Sequence, residues 1–107
     1  MILISKYLVP RGYIGISLFP FIILKYHTNK QDRVLINHER IHLRQQLELL
    51  IVLFYVWYVI EFLIRFFHCK NWRLAYLNIS FEREAYQHEK DLDYLKSRSF
   101  WAFKKYL

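Results

Sequence analysis

Between Arg33 and Phe67 the chain contains neither glycine nor proline. Both residues interrupt helices, one through its backbone entropy and the other through its missing N–H. The segment therefore reads as one long helix over 33–67. Asp32 or Asn37 can cap its start, because a short polar side chain there accepts a bond from a backbone N–H that the helix leaves free. The second half, LLIVLFYVWYVIEFLIRFF, is nearly all apolar. Its unbroken apolar run, Leu49 to Ile60, is shorter than the roughly 20 residues a spanning helix needs. Glu61 and Arg65 follow at i,i+4, a spacing at which they can pair along the helix. Such a segment suits immersion in a membrane, an interfacial position, or burial in protein.

Residues 1–26 place Pro10, Gly12, Gly15 and Pro20 among β-branched and aromatic residues. This pattern predicts a small β element, with YIGISLF and FIILKY as strands bent at the prolines. HTNKQD reads as a loop and HCKNWRLAYLN as a connection. A second helix is expected over 78–97, starting near Asn78 or Ser80, with Phe81, Ala85, Leu92 and Leu95 at helical spacing. A length of 107 residues holds one modest core. The expected fold is thus mainly α with a small N-terminal β element, in one domain over 1–107.

The chain is 55% hydrophobic and 20% aromatic, a balance that excludes disorder. A small domain cannot hide so many rings, so some should face a membrane or a partner. The formal charge of +7 fits an anionic surface. The C-terminal LKSRSFWAFKKYL interleaves rings and cations in the manner suited to lipid headgroups. Signatures of nucleic-acid modules are lacking, so no nucleic-acid partner is expected. Cys69 stands alone, which rules out an intrachain disulfide or a thiolate metal cluster. The opening MILISKYLVPRG lacks the features of a cleavable export signal. Membrane association is the expected location, with the cytoplasm as the alternative.

The motif that carries chemistry is HERIH, residues 38–42. Positions i and i+4 share one helix face, so the imidazoles of His38 and His42 can converge on one ion. Zinc accepts imidazole nitrogen, and a catalytic zinc takes three protein ligands plus water. Glu39 points to a neighbouring face, within reach of that water, where a carboxylate can take its proton. A third ligand must come from elsewhere, and Glu82, Glu84 and His88 on the second helix are the candidates. His88 lies on an apolar stripe and reads better as a hydrogen-bonded core residue.

HERIHLRQQ followed by FEREAYQHE resembles the gluzincin zinc metallopeptidases, which pair HExxH with a downstream glutamate on another helix. Most of the chain, through GISLFPFIILK, INHERIHLRQQLELL and NISFEREAY, is similar to small HExxH proteins of Bacteroidetes-type bacteria. A looser likeness extends to membrane-embedded sensor peptidases. The resemblance implies a minimal helical zinc site held by His38, His42 and Glu82, with Glu84 as the alternative third ligand. Residues two apart on a helix point in nearly opposite directions, so only one of these glutamates can serve. It further implies Glu39 as catalytic base, Zn2+ as cofactor, a peptide or protein substrate, and a bacterial inner-membrane location. Two positions depart from the family pattern: Arg40 adds a charge inside HExxH, and Tyr86 stands where Asp or Asn is commoner. Tyr86 is expected either to donate to a developing oxyanion or to leave the task of orienting a histidine to another residue. The alternative function is a non-catalytic subunit of a membrane complex that keeps this scaffold for assembly.

Overall fold

The computed structural model describes residues 1–107. Three short strands come first, β1 (Ile2–Ile4), β2 (Gly15–Leu18) and β3 (Phe21–Leu24). Five helices follow, α1 (Arg33–Glu48), α2 (Val52–Cys69), α3 (Trp72–Leu77), α4 (Ser80–His88) and α5 (Tyr94–Ser97). Single 3-10 turns occupy His27–Gln31 and Ala102–Tyr106. The protein is mainly helical with a small N-terminal sheet, as its sequence leads one to expect. The sheet has one strand more than YIGISLF and FIILKY supply. β1 pairs in parallel with the central β3, Ile2 opposite Ile22, while β2 runs antiparallel along its other edge. A cis Phe19–Pro20 peptide lies in the β2–β3 turn.

Asp32 caps α1, its carboxylate accepting from the Leu35 N–H at 3.1 Å. Asn37 does not act as a cap. It is buried one turn further on, where its amide reaches the carbonyls of Glu89 and Asp91 at 2.8 and 2.9 Å. That clasp holds the chain in a turn after α4. The second helix therefore ends at His88 rather than running to residue 97, and α5 is a separate single turn.

The expected long helix over 33–67 is two helices. Leu50 and Ile51 have φ of +56° and +63°, in the left-handed region. Each such non-glycine residue costs about 1–2 kcal/mol. The turn folds α2 back so that Phe54, Trp57, Tyr58 and Glu61 face α4 and the C-terminus, with Phe54 against Phe81 and Trp57 against Phe81 and Phe103. A core of Leu49, Phe54, Ile79, Phe81 and Phe103 results. A straight continuation would carry that aromatic face away from its partners. Burial of one such ring is worth about 1.5–3 kcal/mol, which offsets the strain.

Glu61 and Arg65 do not pair. The Glu61 carboxylate accepts from the Trp57 indole at 3.0 Å, from the Ser80 backbone N–H at 2.7 Å and from the Ser80 hydroxyl. Ser80 opens α4, and Ile79 before it offers no capping side chain. A carboxylate from α2 thus supplies the cap and meets the positive end of the helix dipole. The connection expected at HCKNWRLAYLN contains α3, capped by Asn71. The C-terminal segment is also divided: Phe103 and the Arg98 side chain are buried, while Phe100, Lys104 and Lys105 are exposed. The whole segment therefore does not present itself as one surface.

Candidate metal centre

Helix α1 presents His38, Glu39, His42, Gln45 and Gln46 on its buried face. Gln46 anchors this face to the sheet, its amide N–H donating to the Ser17 carbonyl at 3.0 Å and its oxygen accepting from the Phe19 N–H at 2.7 Å. Gly15, Ile16 and Ser17 of β2 consequently line the same cavity as the histidines, a space of about 280 Å³. A second space of about 270 Å³ shares Tyr13, Gly15, His38, Glu39 and Tyr76 with the first. Glu39 and His38 therefore sit at the junction of two lobes. The first lobe carries Pro10, Ile16 and Phe54, and the second carries Asp32, Arg73 and Glu89. Arg40 points to solvent, so the charge inside HERIH stays outside the site.

Three atoms converge. His38 Nε2 and His42 Nε2 are 3.1 Å apart, and Glu82 Oε1 lies 3.2 Å from the first and 3.1 Å from the second. A tetrahedral ion with bonds of about 2.0–2.1 Å has ligand-to-ligand edges of about 3.3 Å. The side chains of His38, Glu39 and His42 form a buried group, ligand atoms within 4.8 Å of one another, that can hold a metal ion. Of the two carboxylates, Glu82 has the shorter approach to both imidazoles. Glu39 keeps a buried oxygen, Oε2, with no hydrogen-bond partner in a residue only 4% exposed.

The hydrogen bonds on the far side of each ring fix its tautomer. The Gln45 amide N–H donates to Glu84 Oε1 at 2.8 Å and to the Phe81 carbonyl, so its oxygen must face His42 Nδ1, 2.8 Å away, as an acceptor. Glu89 accepts from His38 Nδ1 at 2.8 Å. Both Nδ1 atoms therefore carry protons, and both Nε2 lone pairs face Glu82. Tyr58 donates to the other Glu82 oxygen at 2.7 Å, which turns Oε1 toward the imidazoles. Glu89 and Gln45 do the orienting that Tyr86 does not. The Tyr86 ring packs edge-on against His38 and its hydroxyl meets that of Tyr76.

Two lone pairs and a carboxylate oxygen repel one another unless a cation joins them. A proton on His42 does this. Burial alone would lower the His42 pKa, but the charge and hydrogen bond of Glu82, helped by Glu39 and Gln45, raise it to about 9. Burial pushes Glu82 up, and the His42 charge with the bonds from His38 and His42 outweighs it and holds the carboxyl well below its usual range. Burial raises Glu39; the imidazole charges oppose this, and Glu82 and Glu89 add to it. A carboxyl so raised is a better proton acceptor than an exposed one.

The His42 pair gives a signed expectation for the chelator-treated chain. A folded pKa above the ordinary 6.5 means that this stabilisation is complete below pH 6.5 and disappears as pH rises through about 9. Thermal unfolding should therefore occur at lower temperature at pH 9.5 than at pH 6.5, a trend that His42→Ala should flatten. The orienting bonds give a second expectation. Gln45→Ala and Glu89→Ala should each weaken metal binding by about 10–100-fold, as loss of a ligand's supporting partner does, measurable by competition with a chromophoric chelator.

Of the other sequence candidates, Glu84 points away from the triangle, into a buried network with Arg98, Tyr94 and Gln45. His88 stacks on Tyr94 at 3.9 Å and bonds the Tyr106 hydroxyl, a packed residue outside the triangle. Sequence reasoning missed Glu89, Tyr58 and Arg98, and it gave Gln45 no orienting role. Their partners lie 14 to 51 residues away, apart from the local His42–Gln45 bond. No family model matches this chain, and no curated protein or solved structure is significantly similar to it.

Proposed function

We propose that this chain is a zinc-dependent metallopeptidase of minimal, gluzincin-like design. The observation that carries the reading is the triangle of His38 Nε2, His42 Nε2 and Glu82 Oε1, with the unpartnered Glu39 Oε2 buried beside it. Two imidazoles and one carboxylate are a donor set suited to zinc with an open fourth position. A bound zinc supplies Lewis acidity, lowering the pKa of water towards neutrality and polarising a carbonyl. The remaining work falls to the chain. His38 and His42 are held in the metal-binding tautomer by Glu89 and Gln45, and Tyr58 keeps Glu82 turned to them. Glu39 takes the proton of the attacking water and returns it to the leaving amine. An extended peptide lies across the junction of the two lobes, with an apolar side chain in the lobe of Pro10, Ile16 and Phe54.

In this reading the protein works at a membrane, the bacterial inner membrane being the one that the Bacteroidetes-type likeness implies. One helix, Val52–Cys69, is long and apolar enough to cross a bilayer. The alternative, a non-catalytic subunit that keeps the scaffold for assembly, is favoured by the same helix, since its exposed apolar face also fits a larger partner. The deciding experiment incubates the zinc-loaded protein with a mixed peptide library and reads cleavage by mass spectrometry. Cleavage that a chelator stops and zinc restores supports the peptidase. A zinc-loaded, folded protein that cuts nothing in the library favours the subunit.

A further inference from the structure

The outer face of α2 is apolar along its whole length. Val52, Val56, Val59, Ile60, Leu63 and Phe67 are each about half exposed or more, Phe67 reaching 76%. At about 100° per residue they occupy one continuous sector. The charged members of α2, Glu61 and Arg65, lie outside that sector. No hydrogen-bonding side chain interrupts it.

An indole and a cation lie near each end of α2. At the C-terminal end, Trp72 is 66% exposed and packs against Phe62 and Phe66, next to Lys70, the C-cap of α2. At the N-terminal end, the Trp101 indole donates to the Glu48 carbonyl just before α2, and Lys104 Nζ lies 5.3 Å from its ring. Indoles and lysines at the border of an apolar surface suit lipid headgroups, and the formal charge of +7 favours anionic ones.

The connectivity decides how such a surface can meet a bilayer. α1 precedes α2 and α4 follows it, yet the two meet: His38 Nε2 is 3.2 Å from Glu82 Oε1, and the Asn37 amide is 2.8 Å from the Glu89 carbonyl. A crossing α2 would put α1 and α4 on opposite sides of the membrane. The only helix between α2 and α4 is α3, of 6 residues. At about 1.5 Å per residue it cannot return through a hydrocarbon core about 30 Å thick. We propose that the outer face of α2 seats the protein flat on an anionic bilayer surface, with the helix axis in the membrane plane and both ends on one side. The inference deepens the membrane location and rests on the α1–α4 contact, but not on hydrolysis.

The test is partition of the full chain, with and without chelator, onto phosphatidylcholine vesicles and onto vesicles that also contain phosphatidylglycerol. The anionic vesicles should bind it more tightly, and salt should weaken that preference. The double variant Ile60→Asp with Leu63→Asp, changed only on the exposed face, should bind at least about tenfold more weakly. Lys104→Glu with Lys105→Glu should lose the anionic preference. In lipid-bound protein, Trp72 and Trp101 should both be quenched by lipids brominated near the headgroup, and externally added protease should reach both termini. Absence of partition, a termini pair protected on opposite sides, or partition unchanged in the Ile60 and Leu63 variant overturns the proposal. So does a stable dimer in solution that this variant dissolves, since the face would then belong to a second copy. Intact partition without hydrolysis in the library experiment overturns the peptidase reading alone.

Discussion

Glu39→Gln is expected to lower kcat for peptide hydrolysis by about 10²–10⁴-fold, the usual contribution of a positioned general base, while one metal ion per chain is retained. Glutamine has the shape of glutamate, so the packing of α1 should survive. What it loses is the capacity to accept a proton at Oε2, the oxygen that is buried without a partner beside the imidazoles. Burial already pushes this carboxyl up, which improves its match to a proton taken near neutral pH. Steady-state kinetics with a cleaved library peptide and metal analysis of the same preparation make the check. Hydrolysis at the wild-type rate with the metal present would assign the base to another group.

The largest effect on stability is expected at Arg98. Its side chain is fully buried and forks between two carboxylates, with Nη2 3.1 Å from Glu84 Oε1, Nε on Glu84 Oε2 and Nη1 2.6 Å from Glu48 Oε2. Arg98→Ala would leave both carboxylates buried without a cation, which typically costs about 3–5 kcal/mol. That is a large part of the stability of a small domain. Burial pushes the Glu84 carboxyl up, but the bonds from Arg98, Gln45 and Tyr94 outweigh it and hold the carboxyl below 4.5. Stability from this group is therefore present above pH 4.5 and declines as pH falls through the lower folded value. Arg98→Ala should flatten that acid dependence. Glu84→Gln in the same background should recover part of the loss, and Arg98→Lys should not replace the fork. Denaturant unfolding reads all four proteins; a loss below about 1 kcal/mol, the level of an exposed pair, would mean that the network is ornamental. Because Gln45 joins this network to His42, Arg98→Ala should weaken metal binding as well.

The local signals in the sequence are legible and the long-range ones are not. His38 and His42 share a helix face by spacing alone, and the structure brings their Nε2 atoms to 3.1 Å. Asp32 is readable as a cap because its partner is three residues away. By contrast, the break at Leu50 and Ile51 has no glycine, proline or asparagine to announce it. Tertiary packing of the Phe54–Phe81–Phe103 cluster imposes it on residues with no preference for a left-handed turn. Among charged residues, helical spacing offers Glu61 only Arg65, whereas its partners are the Trp57 indole one turn earlier and Ser80, which arrives through the fold. The choice of Glu82 over Glu84 came from the resemblance to gluzincins. The structure supplies a physical reason: Glu84 is committed to Arg98, and Glu82 faces the imidazoles. The exposed stripe of α2 was half legible, since composition required surface apolar residues but could not say which face of the helix they would occupy.

The most direct measurement is a zinc titration of the metal-stripped chain beside His38→Ala and Glu82→Gln, read by calorimetry and by the metal content of the desalted protein. Tight uptake of one equivalent by the unaltered chain, with marked weakening in both variants and unchanged circular dichroism, is the outcome that follows from the His38–His42–Glu82 triangle. Failure of the unaltered chain to take up zinc, or equal uptake by Glu82→Gln, would contradict it.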